Sequence, residues 1–403
     1  MGAFRGPISA SKSLFNRWLI IQSFSSKVTL TGRSNADDVR LMSAALEAFR
    51  AGRTEFDCGE AGTVLRFLAF RVSRAPGRFR LRGVGRLLSR PQAALVEVLA
   101  QLGVRAMVEG DALVIEGQGW QRPSAPITVD RSQSSQFLSG LLLNAWDLPF
   151  ALPVQGTGVA VSDSYLKMTR KTVLAAGMKL SGAVGGGFEV LPNQHPRANQ
   201  IVIEPDFSSL FAVAALAAVN GEAIIEGVSG ELKTNSLQPD VLGLELLERM
   251  GASVEWPRPH WKGPSVPVTV KGAPTLKAVQ ADLLEVPDLF PVLAALCARA
   301  HGVSELRNAP QLIHKESDRL SALEEWLRLL GVQVERIEGG LRIHGRVPNP
   351  KDSLVPLDPR GDHRLFMAAT TLRAVGFPVE PLHPDVCSKS FPEYPEIARG
   401  LLA

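Results

Sequence analysis

Three stretches of this chain repeat one local plan, and that plan limits the folds open to it more than any other feature. Residues 90–117 (RPQAALVEVLAQLGVRAMVEGDALVIEG), 238–256 (QPDVLGLELLERMGASVEW) and 318–345 (DRLSALEEWLRLLGVQVERIEGGLRIHG) each place leucine and alanine at i, i+3, i+4 and i+7. Each helical pattern stops at Gly103, Gly251 or Gly331, the residue type that tolerates positive φ just past a helix end. Two-residue alternation follows, and Gly110-Asp111 and Gly339-Gly340 are suited to turn hairpins. A weaker copy runs over 168–192, and a degenerate one begins at Asp37. A spacing of about seventy residues is too long for a solenoid, so the copies are building blocks of globular domains. Right-handed crossovers then imply an α/β fold with helices packed inside or between sheets.

A chain of 403 residues, 45% hydrophobic and 21% charged, is long enough for two cores. Between the halves, residues 193–223 pass from a polar stretch into a strand and then an alanine-rich helix, which sets a crossing near Pro205. The N-terminal strand is expected to pair with the second half. A net charge of +4 is a small surplus that does not demand nucleic acid and fits small anionic substrates. Cys58, Cys297 and Cys387 have no CxxC spacing and no nearby histidine, so neither metal site nor disulfide framework is expected. Reduced thiols point to the cytoplasm. The apolar patch WLII is cut short by Gln22 and Ser23 and is too brief for a membrane span. Arg5, Lys12 and Arg17 loosely mimic a targeting peptide, but no small-residue cleavage site follows, which makes cleaved targeting the minor reading.

Several short motifs carry candidate chemistry, each with a plain structural alternative. Ser11-Lys12-Ser13, with Asn16 and Arg17, enters a helix and suits a phosphate or carboxylate; a capped helix with solvated bases is the bland reading. In CGEAGTVLR, two glycines let the backbone approach an anion, with Thr63 and Arg66 nearby. Arg78, Arg80 and Arg82 alternate on a strand and read as a solvated face, whereas Arg90, before a proline, is a candidate ligand. Ser134, Ser135 and Gln136 open a helix with uncharged donors suited to a polyol or its phosphate, unless Ser134 is simply its N-cap. Asp288 heads an apolar helix, where an acid also complements the dipole. Lys315, Glu316, Asp318 and Arg319 crowd one turn, a pattern that is usually a solvated, salt-bridged helix start. RGDHR supplies Asp362, His363 and Arg364, and CSKSFPEY supplies Lys389.

Taken together and in order, SKSLFNR, GEAGTVLR, RP, SSQF, SDSYLKMT, PDFSS, VPD, KESDRL, DHRLFMA and SKSFPEY resemble the 5-enolpyruvylshikimate-3-phosphate synthase family over nearly the whole chain. The resemblance implies a two-domain inverse α/β barrel, enolpyruvyl transferase-like, with three βαβαββ repeats per domain. The implied domains are 12–204, which binds substrate, and 1–11 with 205–403, which carries the catalytic acids, with the active site in the cleft between them. The implied reaction transfers the enolpyruvyl group of phosphoenolpyruvate to the 5-hydroxyl of shikimate 3-phosphate through a tetrahedral ketal.

By the same resemblance, Ser13, Arg17, Ser134, Ser135, Ser162, Tyr165, Asp288 and Lys315 hold shikimate 3-phosphate, and Gln136 touches both substrates. Lys12, Gly62, Arg90, Arg319, Arg364 and Lys389 hold phosphoenolpyruvate. Asp288 takes the hydroxyl proton, and Glu316 with Lys12 handles proton transfer at the methylene carbon. No cofactor or metal is implied. Glyphosate is the expected competitor of phosphoenolpyruvate, and a monomer is the expected state. The sequence departs from the family at Glu60, where an asparagine is usual, at Ile313, where arginine is common, and at Gln311, an amide longer than the usual asparagine. Two alternatives stand beside this reading. A UDP-sugar acceptor is disfavoured because RGVGRLLSRP lacks the cysteine of such enzymes, and a non-catalytic anion- or RNA-binding relative because both candidate acids and the main bases are present.

Overall fold

The computed structural model describes residues 2–183, 187–197, 199–258, 267–349 and 351–403. It divides into two compact units, one spanning Lys12–Ile203 and the other combining Met1–Ser11 with Glu204–Ala403.

Each unit contains two four-stranded sheets of identical topology. In Lys12–Ile203 the strand orders are Glu55–Asp57, Pro76–Arg82, Ala112–Gln118, Arg105–Glu109 and Ile127–Asp130, Leu152–Thr157, Gly187–Val190, Leu180–Ala183. In the other unit they are Gly2–Pro7, Gly221–Glu226, Val268–Lys271, Ser253–Glu255 and Gln280–Asp282, Val303–Arg307, Gly340–His344, Gln333–Ile337. The first pair is parallel and the other pairings are antiparallel in every case. The four helix-glycine-hairpin copies legible in the sequence are the second helix and hairpin of these four sheets. Gly103, Gly251 and Gly331 stand at φ of 75°, 104° and 67°, as the end of such a helix requires. The turn of the copy at 168–192 includes residues 184–186, outside the described residues. The third repeat of each unit is reduced: the pairs Val28–Thr31 with Asn199–Val202 and Val355–Leu357 with Val379–Pro381 are two-stranded and parallel among the described residues.

The helices fall into two kinds. Gly62–Val72, Gln136–Leu143, Phe290–Cys297 and His363–Ala374 are buried almost all round, matching their lack of a polar face. The helices that precede the hairpins, such as Leu242–Arg249 and Arg319–Leu329, bury one side and expose charge on the other. The N-terminal patch WLII lies buried in the Lys12–Gln22 helix. Among the described residues no helix is long and apolar enough to cross a membrane. The three cysteines are free thiols, all buried.

The buried helices matter for chemistry because their N-termini carry the candidate motifs. Polar side chains there are held by packed apolar turns below them rather than by mobile loops.

Candidate active site

Two clusters gather the candidate residues, one in each unit. In Lys12–Ile203, Lys12 opens the Lys12–Gln22 helix and pairs with Asp38, Nζ to Oδ2 2.9 Å. Arg17, one turn further, is 3% exposed. It donates to Thr169 Oγ1 at 2.7 Å, Ser13 O at 2.7 Å and Tyr165 O at 3.1 Å, and its guanidinium stands 5.4 Å from the Phe67 ring centre. Burial pushes its pKa down to about 10, partly offset by Tyr165. Among the described residues no carboxylate pairs with it.

Gln136 is fixed from two sides. Its Oε1 accepts from Arg66 Nη1 at 2.8 Å and its Nε2 donates to Thr63 Oγ1 at 3.1 Å. Arg66 also donates to Gln92 Oε1 and Pro91 O, and lies over the Phe137 ring. Gly62 begins its helix directly under Arg90: a Cβ added there would lie 3.0 Å from Arg90 Nη1 and 3.2 Å from its Cζ. Glycine lets this guanidinium rest on the helix start, and any larger residue would push it away by a few tenths of an ångström. Ser134 Oγ accepts from Gln136 N at 3.2 Å, the bond of a side-chain N-cap, while Ser135, already helical at φ −72° and ψ −10°, makes no capping bond, so the capping reading of Ser134 holds. Ser162 caps Asp163–Ala175 in the left-handed region, φ 53° and ψ 42°, a conformation costly for serine. These two helices pack together and are joined through Thr169 Oγ1 to Ser139 Oγ at 2.9 Å.

The second cluster centres on Arg319, 1% exposed. Its Nη1 donates to Asp288 Oδ1 at 3.0 Å, its Nη2 to Glu316 Oε2 at 3.1 Å and Asp362 Oδ1 at 3.1 Å, and its Nε to Asp362 Oδ2 at 2.8 Å. Lys315 Nζ reaches Asp288 Oδ1 at 3.1 Å, and Lys389 Nζ reaches Glu316 Oε1 at 3.0 Å. The expectation of a solvated, salt-bridged helix start is therefore wrong at Arg319: its side chain turns into the unit, where three carboxylates offset its desolvation. Burial opposes charge on Arg319, but Asp362, Glu316 and Asp288 outweigh it and raise its pKa further. Burial likewise opposes charge on Asp288, yet Lys315, Arg319 and Arg364 hold its carboxyl well below the usual range.

Arg364 is 2% exposed and bonds Ser208 twice, Nη1 to the carbonyl at 3.2 Å and Nη2 to the hydroxyl. Its Nε is buried without a hydrogen-bond partner, a donor left for a ligand. Ser208 is itself set by Asp206, the N-cap of Phe207–Asn220, so the PDFSS motif serves to place Arg364.

Residues that sequence reasoning gave no role hold these clusters in place. Asp362, fully buried, accepts from Arg319, from Ser317 Oγ at 3.0 Å and from Arg364 N at 2.9 Å, capping its helix. Asp38, Thr169 and Ser208 complete the set; of these four only Asp38 lies outside the motifs named above. Of the departures, Glu60 turns its carboxylate onto Gly85, where an added Cβ would meet Oε1 at 2.3 Å. Gln311 is buried and donates to Leu284 O at 3.2 Å, while Ile313 is 39% exposed.

Comparison with known proteins gives one consistent result. The family model described as EPSP synthase (3-phosphoshikimate 1-carboxyvinyltransferase) matches residues 27–397. A 3-phosphoshikimate 1-carboxyvinyltransferase of Shewanella oneidensis is 30% identical, covering 96% of this chain and 94% of its own. One from Trichormus variabilis is 31% identical over 85% of this chain and 78% of its own. Among solved structures, EPSP synthase from Acinetobacter baumannii superposes with a TM-score of 0.72 at 21% identity, over 99% of this chain and 95% of that one. The enolpyruvyl transferase NikO from Streptomyces tendae gives 0.69 at 18% identity, over 100% and 94%. At those identities the structural matches speak for the fold.

Proposed function

The chain belongs to the EPSP synthase family, and from that premise we propose how its residues divide the work. The enzyme transfers the enolpyruvyl group of phosphoenolpyruvate to shikimate 3-phosphate in the shikimate pathway, releasing phosphate. Ser13, Arg17, Ser134, Ser135, Ser162, Tyr165, Asp288 and Lys315 hold shikimate 3-phosphate; Lys12, Gly62, Arg90, Arg319, Arg364 and Lys389 hold phosphoenolpyruvate; Gln136 meets both. Two multiply charged anions repel each other, and this density of cations offsets that repulsion.

The observation that carries the assignment is Arg319, whose single guanidinium bonds both Asp288 and Glu316. In the addition step the 5-hydroxyl oxygen bonds C2 of phosphoenolpyruvate and gives its proton to Asp288, while Glu316, with Lys12, protonates C3 to a methyl group. The product is a tetrahedral ketal. In the elimination step Glu316 and Lys12 take a methyl proton back, the C2–O bond to phosphate breaks, and Asp288 returns its proton to the departing phosphate. An Asp288 held so far below the usual range is a weak base in the free enzyme. Anions that draw Lys315 and Arg319 toward themselves loosen that hold, so substrate binding itself raises the basicity of Asp288.

The same cations suit glyphosate as a competitor of phosphoenolpyruvate, and the chain works as a cytoplasmic monomer; inhibition kinetics and sedimentation test these points. The central test is phosphate release from phosphoenolpyruvate by purified protein. Release should require shikimate 3-phosphate and fall by about 10²- to 10⁴-fold in Glu316→Gln and Asp288→Ala. Release supported instead by a UDP-aminosugar, or undiminished in both variants, would overturn the acceptor or the acid assignments respectively.

A further inference from the structure

Arg131, between the Ile127–Asp130 strand and the Gln136–Leu143 helix, has no part in the scheme above. Its side chain is 14% exposed, and Nε is buried with no hydrogen-bond partner. Its one ion-pair contact among the described residues is Asp163 Oδ1, 3.7 Å from Nη1 and outside hydrogen-bonding range. Asp163 is also shared with Lys167, whose Nζ lies 3.4 Å from Oδ2. Among the described residues, then, one donor of this arginine, Nε, has given up water without gaining an acceptor, which is costly unless something else supplies one.

The fold nevertheless holds it there. Its main-chain N–H donates to Thr157 O at 3.0 Å, and its carbonyl accepts from Val161 N at 3.2 Å. Its guanidinium rests on Gly156, where an added Cβ would come within 2.5 Å of Nε. Ser162 follows Val161 directly and caps its helix in a left-handed conformation without bonding it through the side chain. Ser134 and Ser135 lie just downstream of Arg131; the Ser134 hydroxyl accepts from Gln136 N, while the Ser135 side chain makes no capping bond to its own helix. The two helices pack together, and Arg131 lies just before one and, through Asp163 and Val161, against the start of the other, so a guanidinium with one idle donor, Nε, stands at these helix starts. A phosphate group accepts from hydroxyls, helix N-termini and guanidinium alike, and arginine's planar fork matches its oxygens.

We propose that Arg131 binds the phosphate of shikimate 3-phosphate and makes that phosphate a condition of tight binding. This rests on the assignment of Ser134, Ser135 and Ser162 to the same substrate. Asp163 is the resting counter-charge that the phosphate displaces.

The test is calorimetric titration of the wild type, Arg131→Gln and Arg131→Lys with shikimate 3-phosphate, with unphosphorylated shikimate and with inorganic phosphate. Arg131→Gln should lose about tenfold to a hundredfold in affinity for shikimate 3-phosphate, with shikimate binding unchanged and lysine restoring part of the loss. In steady state, KM for shikimate 3-phosphate should rise more than kcat falls. Wild-type affinity in Arg131→Gln, or an equal loss for both acceptors with a lowered Tm, would overturn the proposal in favour of a packing role. If the wild type ignores shikimate 3-phosphate, the acceptor assignment fails; Arg131 then keeps a phosphate role only if Arg131→Gln weakens inorganic phosphate.

Discussion

Arg17 and Arg319 are both sealed from solvent, at 3% and 1% exposure, yet they are held in opposite ways. Arg319 sits among Asp288, Glu316 and Asp362, whereas Arg17 bonds one hydroxyl and two main-chain carbonyls. Around Arg319 the charges neutralise each other; around Arg17, among the described residues, a positive charge is buried with neutral acceptors alone. The contrast separates two jobs. Proton transfer needs carboxylates whose state is set by fixed neighbours, while an arginine bonded only to neutral acceptors keeps its whole charge for an incoming anion. Arg17 should therefore cost the fold stability that Arg319 does not.

The largest effect expected from that comparison is at Asp362. Removing it by Asp362→Ala strips Arg319 of two hydrogen bonds, Ser317 of one and the His363–Ala374 helix of its cap. Urea unfolding should show a loss of about 3–5 kcal/mol, the usual result of breaking one side of a buried charge network. A loss under about 1 kcal/mol would mean that Asp288 and Glu316 suffice for Arg319, and that the network is not a unit.

Arg17→Met is the opposing case and should be milder. Ser13 O and Tyr165 O keep their places in helices, Thr169 Oγ1 keeps Ser139 and Tyr165, and methionine fills the space on Phe67. Stability should stay within about 1 kcal/mol of the wild type, while affinity for shikimate 3-phosphate falls at least about tenfold. If stability drops as far as in Asp362→Ala, the two clusters do not differ in the way their partners suggest.

How much of this was legible beforehand follows the same divide. The helix-glycine-hairpin copies fixed the repeating sheets, because period and glycine placement are local signals. The ordered motifs carried Asp288, Glu316 and the bases as a resemblance. What could not be read was partnership at long range. Nothing local distinguishes Arg319, which turns inward to Asp362, from Arg336, which stays at the surface on Glu324. Asp38 with Lys12 and Ser208 with Arg364 are contacts across 26 and 156 residues, set by helix packing that no window of sequence contains. The two-stranded third sheets were missed for a related reason, since their short parallel strands lack a hairpin turn to announce them.

The smallest effect asks whether Asp288 belongs to the charge network or only borders it. Its side chain is 24% exposed, and burial favours its neutral form, but Lys315, Arg319 and Arg364 prevail and hold its carboxyl well below the usual range. A carboxyl whose folded value lies below its unfolded one adds stability above the unfolded value, about 3.9, and that contribution fades as pH falls through the folded value. The Tm difference between the wild type and Asp288→Asn should thus be level above about pH 5 and shrink below about pH 4. Arg17→Met, with no acid partner to titrate, should show no such trend over the same range. A difference that stays level to pH 3 would place Asp288 outside the stabilising network, leaving Asp362 and Glu316 to balance Arg319. A difference that widens on acidification would reverse the sign and mean that burial, not its cations, governs this carboxyl.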